Sequence, residues 1–405
     1  MTETTHAHTP VTPSAPDELD EHHAAVIRAT LPLVGANIDA ITTEFYRRLF
    51  EAHPSLKQNL FNRGNQARGA QQRALAGAVA TFATHLVDPD LPHPVELLSR
   101  IGHKHASLGI TADQYSVVHE NLFAAIVEIL GAEAVSADVA AAWDRVYWMM
   151  ADALIDLERR LYEIAGVEAG DVFRRVTVTE RVDDPSGAVS ISVEDPAVSL
   201  PDFSAAQYVS VGVTLPDGAR QLRQYSLVGA PATGVWTFTV KPVDDEGTPA
   251  GEVSTWIRDH LRVGDTIDVT LPFGDLASGT LGSRPVVLVS AGIGITPMIG
   301  ILEFLAAEAK TCEVLSLHAD RSAQTHPLRE RHAQLISELP SASLDVWYEE
   351  RGLMDLSETA FPDDAEFYLC GNVGFTRSVQ HQLTLRGISG ERVHTELFAP
   401  DDWLV

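Results

Sequence analysis

Apolar positions recur with a helical period between about residues 19 and 165. Ile38, Ile41, Phe45 and Leu49 line one helix face, and Leu75, Val79, Phe82 and Leu86 line another. Tyr115, Val118, Leu122, Ile126 and Ile129 repeat the pattern. The longest stripe runs through Trp143, Val146, Tyr147, Met150, Leu154, Leu157 and Leu161. Strand-like alternation is nearly absent, so this stretch predicts an all-helical domain, punctuated at Pro32, at Pro54, from Pro89 to Pro94, and at Gly131. Gly166 and Gly170 mark a linker, after which the period becomes two. Val189, Ile191 and Val193 alternate, as do Val209, Val211 and Val213, then Trp236, Phe238 and Val240, then Ile267, Val269 and Leu271. Turn signals at Pro185 to Gly187, Pro216 to Gly218 and Phe273-Gly274 separate them. This predicts an antiparallel barrel or sandwich over 170–280, with one helix inserted near 252–262. At Pro285 the pattern changes again. The apolar run Val286 to Val289 leads through a glycine loop into a helix. Glu313 to His318, Asp345 to Tyr348 and Phe367 to Cys370 read as further strands with helices between them. Alternating strand and helix over 284–405 predicts an α/β domain whose parallel sheet binds a ligand at the strand C-termini. Residues 1–18, rich in Thr, Pro, Ser and His, predict a disordered tail. His6, His8, His22 and His23 read as solvated residues of that tail region.

Charge narrows the partners. The net charge is −27, which opposes binding to nucleic acid or stable association with an anionic membrane. Two cysteines, Cys312 and Cys370, exclude a disulfide scaffold and favour a reducing compartment. No run of about eighteen consecutive apolar residues and no basic-then-apolar leader is found, so a cytoplasmic location is expected.

Several short segments carry chemistry. Ser290-Ala-Gly-Ile-Gly-Ile-Thr-Pro297 follows an apolar strand and opens a helix. Gly292 and Gly294 let backbone amides approach a pyrophosphate, and Pro297 suits a first helical turn. In Arg223-Gln-Tyr-Ser226 a ring, a hydroxyl and a guanidinium stand together on an extended segment. Tyr225 can pack on a flavin, Ser226 can reach its ring edge, and Arg223 can neutralise phosphate. Gly251-Glu-Val-Ser254 opens a helix with further N–H donors. With Cys370-Gly371 downstream, this order of motifs over about 170–405 resembles the ferredoxin–NADP reductase superfamily, which joins an FAD-binding barrel to a nicotinamide-binding α/β domain.

In the helical domain, His103-Lys-His105 lies on a half-buried helix. Phe61 falls in a short interhelical stretch, and Tyr46 and Gln71 sit on earlier helices. Tyr115 and Glu158, on later helices, can reach the back of an imidazole, which a neutral histidine ligand generally needs. His103 reads as a surface residue. With Glu44-Phe-Tyr-Arg-Arg-Leu-Phe50, Asn65-Gln66, Lys104-His105, Asp113-Gln-Tyr115, Ala142-Trp143, Gly352-Leu-Met-Asp355 and Tyr368-Leu-Cys-Gly371, the chain resembles a bacterial flavohaemoglobin over nearly its whole length after the tail. The resemblance implies a globin fold with haem b, then FAD and NADH or NADPH. It implies His105 as the proximal iron ligand with Tyr115 and Glu158 behind it. Tyr46, Gln71 and Leu75 match the distal lining and Phe61 the ring that wedges against the haem. Lys104 matches a lysine near the haem propionate and flavin. Tyr208 and Arg223, Gln224, Tyr225 and Ser226 match FAD contacts, beside Gly251, Val253 and Ser254. Gly292, Ile293, Gly294, Ile295, Thr296 and Pro297 match the nicotinamide cofactor loop, with Cys370 and Gly371. Glu396, Leu397, Phe398, Ala399 and Pro400 match the C-terminal stretch that covers the flavin. The chain departs from the family pattern at Ile295 (often Gln), at Leu397 and Ala399 (Cys and Gly) and at Asn372 (Pro).

The expected activity is an NAD(P)H-dependent nitric oxide dioxygenase, with NO, O2 and NAD(P)H as small-molecule partners and a monomeric chain. A peroxide or alkyl hydroperoxide reductase, and an oxygen- or NO-sensing haemoprotein, are the alternatives. The coenzyme is left open: Asp320 favours a ribose hydroxyl, while Arg321 and Ser322 favour a 2′-phosphate.

Overall fold

The computed structural model describes residues 18–398 apart from 60, 62, 65–68, 231–232, 244–250 and 278–280. Ala399, Pro400, Asn65 and Gln66 therefore lie outside the described residues, as does all of the expected tail but Glu18.

The helical domain comprises α1 (Glu21–Ala52), α2 (Pro54–Asn59), α3 (Ala70–Val87), α4 (Ser99–Leu108), α5 (Ala112–Leu130) and α6 (Ala137–Ala165). The stripes read from the sequence are the surfaces these helices bury. Ile41, Phe45 and Leu49 of α1, Phe82 of α3, Leu122 and Ile126 of α5, and Trp143 to Leu154 of α6 share one core. Two expectations fail here. Pro32 does not end a helix but lies inside α1. Ile27 and Val34 are buried on either side of it, so packing of both halves outweighs the one backbone bond that proline removes. His22 and His23 belong to the first turn of α1, not to a tail, and His22 Nε2 stands 2.8 Å from Asp138 Oδ1. By length and composition α1 could cross a membrane. Its residues Ile27, Val34, Ile41, Phe45 and Leu49 are buried in the helical core.

The second half begins with a six-stranded sheet. Its strands are β1 (Phe173–Asp183), β2 (Val189–Glu194), β3 (Tyr208–Thr214), β4 (Arg220–Ser226), β5 (Trp236–Val240) and β6 (Thr266–Thr270). They run in the order β4-β3-β6-β1-β2-β5 with antiparallel pairing. The inserted helix is α7 (Glu252–His260). Next come β7 (Val286–Ala291), α8 (Ile295–Ala307), β8 (Val314–Asp320), α9 (Arg329–Glu338), β9 (Ala342–Tyr348), β10 (Glu366–Gly371), α10 (Val373–Leu385) and β11 (Val393–Leu397). These strands form a parallel sheet in the order β11-β10-β7-β8-β9. The order reverses between β7 and β10. A crevice is expected at that switch point, beyond the strand C-termini.

Candidate active site

The helical site is built around His105, one turn from the end of α4. Gly109 closes that helix in a left-handed conformation, φ +73°. Thr111 then caps α5, its backbone N–H donating to Gln114 Oε1 at 2.9 Å. This short turn sets Tyr115 beside His105, whose Nδ1 lies 3.0 Å from the Tyr115 hydroxyl and 2.9 Å from Glu158 Oε1. Tyr115 itself donates to Glu158 Oε1 at 2.5 Å. Glu158 comes from α6 because α4 and α6 approach closely at Gly102, where a Cβ would lie 2.3 Å from Leu157 Cδ2. The Tyr147 hydroxyl pins the Tyr115 carbonyl from below at 2.6 Å.

The electrostatics follow from burial. Glu158 is 2% exposed. Desolvation, then the Glu158 charge, drives the Tyr115 phenol well above its ordinary pKa, so it remains a donor. With Nδ1 turned to Glu158 and Tyr115, His105 keeps its proton there and has Nε2 to offer. Its side chain is a third exposed. An imidazole held from behind by a carboxylate is a donor set that suits a haem iron.

Elsewhere in the helical domain, Tyr46 is buried and its phenol is hydrogen-bonded by the Gln71 side chain. Burial raises its pKa, so the hydroxyl stays protonated. Phe61 meets the Tyr46 ring edge-on, with centroids 5.8 Å apart, and Phe50 packs against both. Leu75 is partly buried against the same core. Lys104 is exposed. His103 corrects its surface expectation. It is buried with Gly102, Ala106 and Ser107 on the inner face of α4, because three- and four-residue spacing aligns it with Ala106 and Ser107.

In the barrel, β4 carries Arg223, Gln224, Tyr225 and Ser226. The Tyr225 ring stacks on Phe238, while its hydroxyl is buried with no protein partner among the described residues. An orphaned phenol of this kind fits a bound group that supplies the missing partner. Gln224 donates to Ser210 Oγ at 3.0 Å. Tyr208 lies against Gly274, whose φ of +122° and 3.1 Å ring contact leave no room for a side chain. Gly251 caps α7, and Ser254 Oγ accepts from Val243 N at 3.3 Å. Val253 is buried.

In the α/β domain, Gly292 has φ +53° with open space where a Cβ would stand. Gly294 is the opposite: a Cβ there would lie 2.4 Å from the Cys370 carbonyl oxygen. The loop therefore sits tight against β10 and opens α8 at the C-terminal end of β7, a position that suits a pyrophosphate. Ile293 belongs to the same turn. Ile295, Thr296 and Pro297 are buried at the start of α8, and so is Cys370. Strand register sets Cys370 beside Ser290 on one side and Glu396 on the other, and Gly371 beside Leu397. Phe398 is exposed. Asn372, a departure from the family pattern, caps α10 by accepting from Phe375 N at 2.9 Å. Sequence reasoning missed Gly300, whose Cβ would meet Leu227 O at 2.7 Å and which lets α8 lie on the barrel backbone. A glycine inside an otherwise apolar helix was its signal.

These geometries agree with what the chain is similar to. A globin family model matches residues 43–154, and an oxidoreductase NAD-binding domain model matches residues 288–381. A flavohemoprotein of Rhizobium meliloti is 36% identical over 398 residues, covering 93% of this chain and 97% of that one. One of Chromobacterium violaceum is 37% identical over 401 residues, covering 94% and 98%. The crystal structure of flavohemoglobin from Malassezia yamatoensis, with bound FAD and haem, aligns with a TM-score of 0.86 at 33% identity, covering 95% of this chain and all of that one. The FAD/NAD-binding domain of a nitric oxide dioxygenase from Vibrio cholerae aligns at 0.53 and 33% identity, covering 55% and 98%. This chain joins a helical domain holding a carboxylate-backed histidine to a barrel and a parallel sheet with a glycine cradle, its likeness to these relatives runs along nearly the full length of both, and the chain belongs to the flavohemoprotein family.

Proposed function

We propose that this chain is an NAD(P)H-dependent nitric oxide dioxygenase, converting NO and O2 to nitrate in the cytoplasm. The observation that carries this reading is the His105–Glu158–Tyr115 set in the same helical domain as a buried, protonated Tyr46, in one chain with a reductase half. When bound, the haem supplies oxygen chemistry, and FAD divides the two electrons of a hydride into single ones. His105 would hold the iron through Nε2. Glu158 keeps the Nδ1 proton in place and makes Nε2 the stronger donor. Tyr115, unable to ionise in its buried position, holds Glu158 in line. Tyr46 offers a hydrogen-bond donor to the diatomic substrates, and Gln71 fixes the direction of that hydroxyl. Tyr225 and Arg223 would hold the flavin ring and its phosphate, and the Gly292–Gly294 turn would hold the coenzyme pyrophosphate.

The test is NO consumption in air by haem- and flavin-loaded protein. Loss that requires both nucleotide and oxygen, with nitrate as product, is the expected result. A marked preference for peroxides over NO would overturn the reading. Tyr46→Phe is expected to slow NO consumption about tenfold to a hundredfold, the worth of one hydrogen bond to a developing charge, with haem content unchanged. Full activity in that variant would remove Tyr46 from the chemistry.

Coenzyme choice turns on β8. Asp320 Oδ1 is taken by Thr325 Oγ1 at 2.6 Å and by Arg321 N at 2.7 Å, and the side chain is only 3% exposed. Its Oδ2 has no hydrogen-bond partner among the described residues but is buried, so the carboxylate is not presented to a ribose hydroxyl at the surface. Arg321, by contrast, is exposed, and an arginine at this strand end suits a 2′-phosphate. Arg321→Ala is expected to raise the KM for NADPH about tenfold and to leave that for NADH within about twofold. Equal changes for both would exclude Arg321 from coenzyme selection.

A further inference from the structure

Three histidines meet inside the α/β domain, outside the glycine loop itself. His318 is on β8, His326 in the segment that follows, and His332 on α9, and all three are buried. The His318 and His326 rings stack 3.9 Å apart. His332 stands edge-on to them, with centroids 6.1 and 5.8 Å away. One nitrogen of each ring is held: His318 Nδ1 lies 2.8 Å from Ser290 Oγ, His332 Nε2 2.8 Å from Ser316 Oγ, and His326 Nδ1 3.2 Å from the Tyr348 hydroxyl. The second nitrogen of each is buried without a hydrogen-bond partner among the described residues. The period of two along β8 puts Ser316, His318 and Asp320 on one face, which is why the polar groups gather there.

The cluster is joined to the coenzyme machinery. Ser290 is two residues before Gly292 on β7. From the barrel, Lys241 donates to the Thr325 carbonyl at 3.1 Å, and Asp184 accepts from Leu328 N at 3.0 Å. The segment from Asp320 to Leu328 thus ties the barrel to the parallel sheet. The charged and titratable groups around the rings are Asp320 on β8, Lys241 from the barrel, Arg329 at the start of α9 and Tyr348 on β9. Asp320 is the one acid among them. Its Oδ2 lies 3.8 Å from His318 Nε2, beyond hydrogen-bond reach. Burial, and for His326 also the neighbouring rings, depresses the imidazoles: His326 to about 2, His332 to about 3, and His318 in the same direction.

We propose that His318, His326 and His332 form an acid-sensitive lock on coenzyme use. Uncharged, they hold the 320–328 segment against sheet and barrel; protonated, they release it and NAD(P)H oxidation stops. The sign is fixed by the direction of the shifts. The closed state binds fewer protons than the open one below the ordinary histidine value of 6.5. The lock is therefore complete above that pH and weakens as pH falls. Each proton taken up on opening multiplies the opening constant about tenfold per pH unit, and three multiply it up to about a thousandfold.

The lock does not depend on NO chemistry, and its test uses none. In the full-length protein carrying haem and FAD, hydrogen exchange of β8, β9 and α9 amides is followed from pH 8 to 5, with NADH-to-ferricyanide turnover and the haem spectrum read in parallel. Protection, corrected for intrinsic exchange, is expected to fall by roughly two to three decades per pH unit below pH 6.5. Turnover falls next, while the haem spectrum holds. In His326→Gln and His332→Gln the slope drops by about one decade per pH unit each, and turnover persists to lower pH. A wild-type slope of one decade or less overturns the lock without any variant. Unchanged slopes in folded variants overturn it as well.

Discussion

His105→Ala is expected to yield a protein that still oxidises NADH with ferricyanide at the wild-type rate yet takes up little haem and consumes NO at least about a thousandfold more slowly, because the residue proposed to hold the iron is gone. The variant does more than remove a ligand. Glu158 is 2% exposed and loses the imidazole N–H it accepts at 2.9 Å. It keeps the Tyr115 hydroxyl, so the carboxylate is underpaired rather than abandoned. A buried polar group left one partner short costs about 1–3 kcal/mol, so the helical domain should unfold earlier on heating even without haem. Adding imidazole separates the two effects. Imidazole can replace the lost donor and restore part of the haem binding, provided the pocket is intact. Normal haem content in the unrescued variant would show that another residue holds the iron. His103 is the nearest alternative in sequence, but its burial on the inner face of α4 points it away from the His105 side.

How much of this was legible in the chain differs from element to element. The helical stripes were, because one face of each amphipathic helix must be buried and the spacing of Ile41, Phe45 and Leu49 declares that face. The glycine loop was legible too, since Gly292 and Gly294 fall between an apolar strand and a helix. Strands β1 and β11 were not. Segment 173–183 carries five charged residues among eleven and buries only Val176 and Val178, and 393–397 holds one histidine, one threonine and one glutamate among five residues. Their strand character comes more from pairing with neighbours than from a continuous apolar face. Pro32 misled because its cost, a few kcal/mol at most, is smaller than the burial on both sides of it. His103 misled because a short helix with three polar residues in a row gives no stripe from which to read an inner face. The histidine cluster was invisible for a different reason. His318, His326 and His332 are spread over fifteen positions in sequence and meet only when β8, its following turn and α9 are folded together. Spacing along a chain reports periodic contacts well and convergent ones poorly.

Gly294→Ala should be as damaging to the reductase as His105→Ala is to the globin. The missing Cβ would stand 2.4 Å from the Cys370 carbonyl oxygen, 2.7 Å from its carbon and 3.0 Å from Gly371 N. All three are backbone atoms at the C-terminal end of a paired strand, so no rotamer change relieves the overlap. Either β10 or the loop must shift. Moving β10 disturbs its hydrogen bonds to β7 and β11, where Cys370 is paired with Ser290 and Glu396. Moving the loop withdraws the amides that would face the pyrophosphate. Overpacking of this kind typically costs about 1–3 kcal/mol when side chains can yield, and the cost is higher where only backbone is present. NADH-to-ferricyanide turnover is expected to fall at least about a hundredfold, mainly through KM, since a misplaced cradle loses binding before it loses chemistry. Gly292→Ala is the matching control. Its φ of +53° strains a side chain, but nothing stands within 4 Å of a Cβ there. Left-handed strain of about 1–2 kcal/mol predicts a loss of roughly fivefold to thirtyfold. The ranking is therefore Gly294 above Gly292, the reverse of what φ alone would give. If Gly292→Ala proved the more harmful, the loop would be held by conformational freedom rather than by its contact with β10, and the tight seating of the cradle against Cys370 would not be what places it.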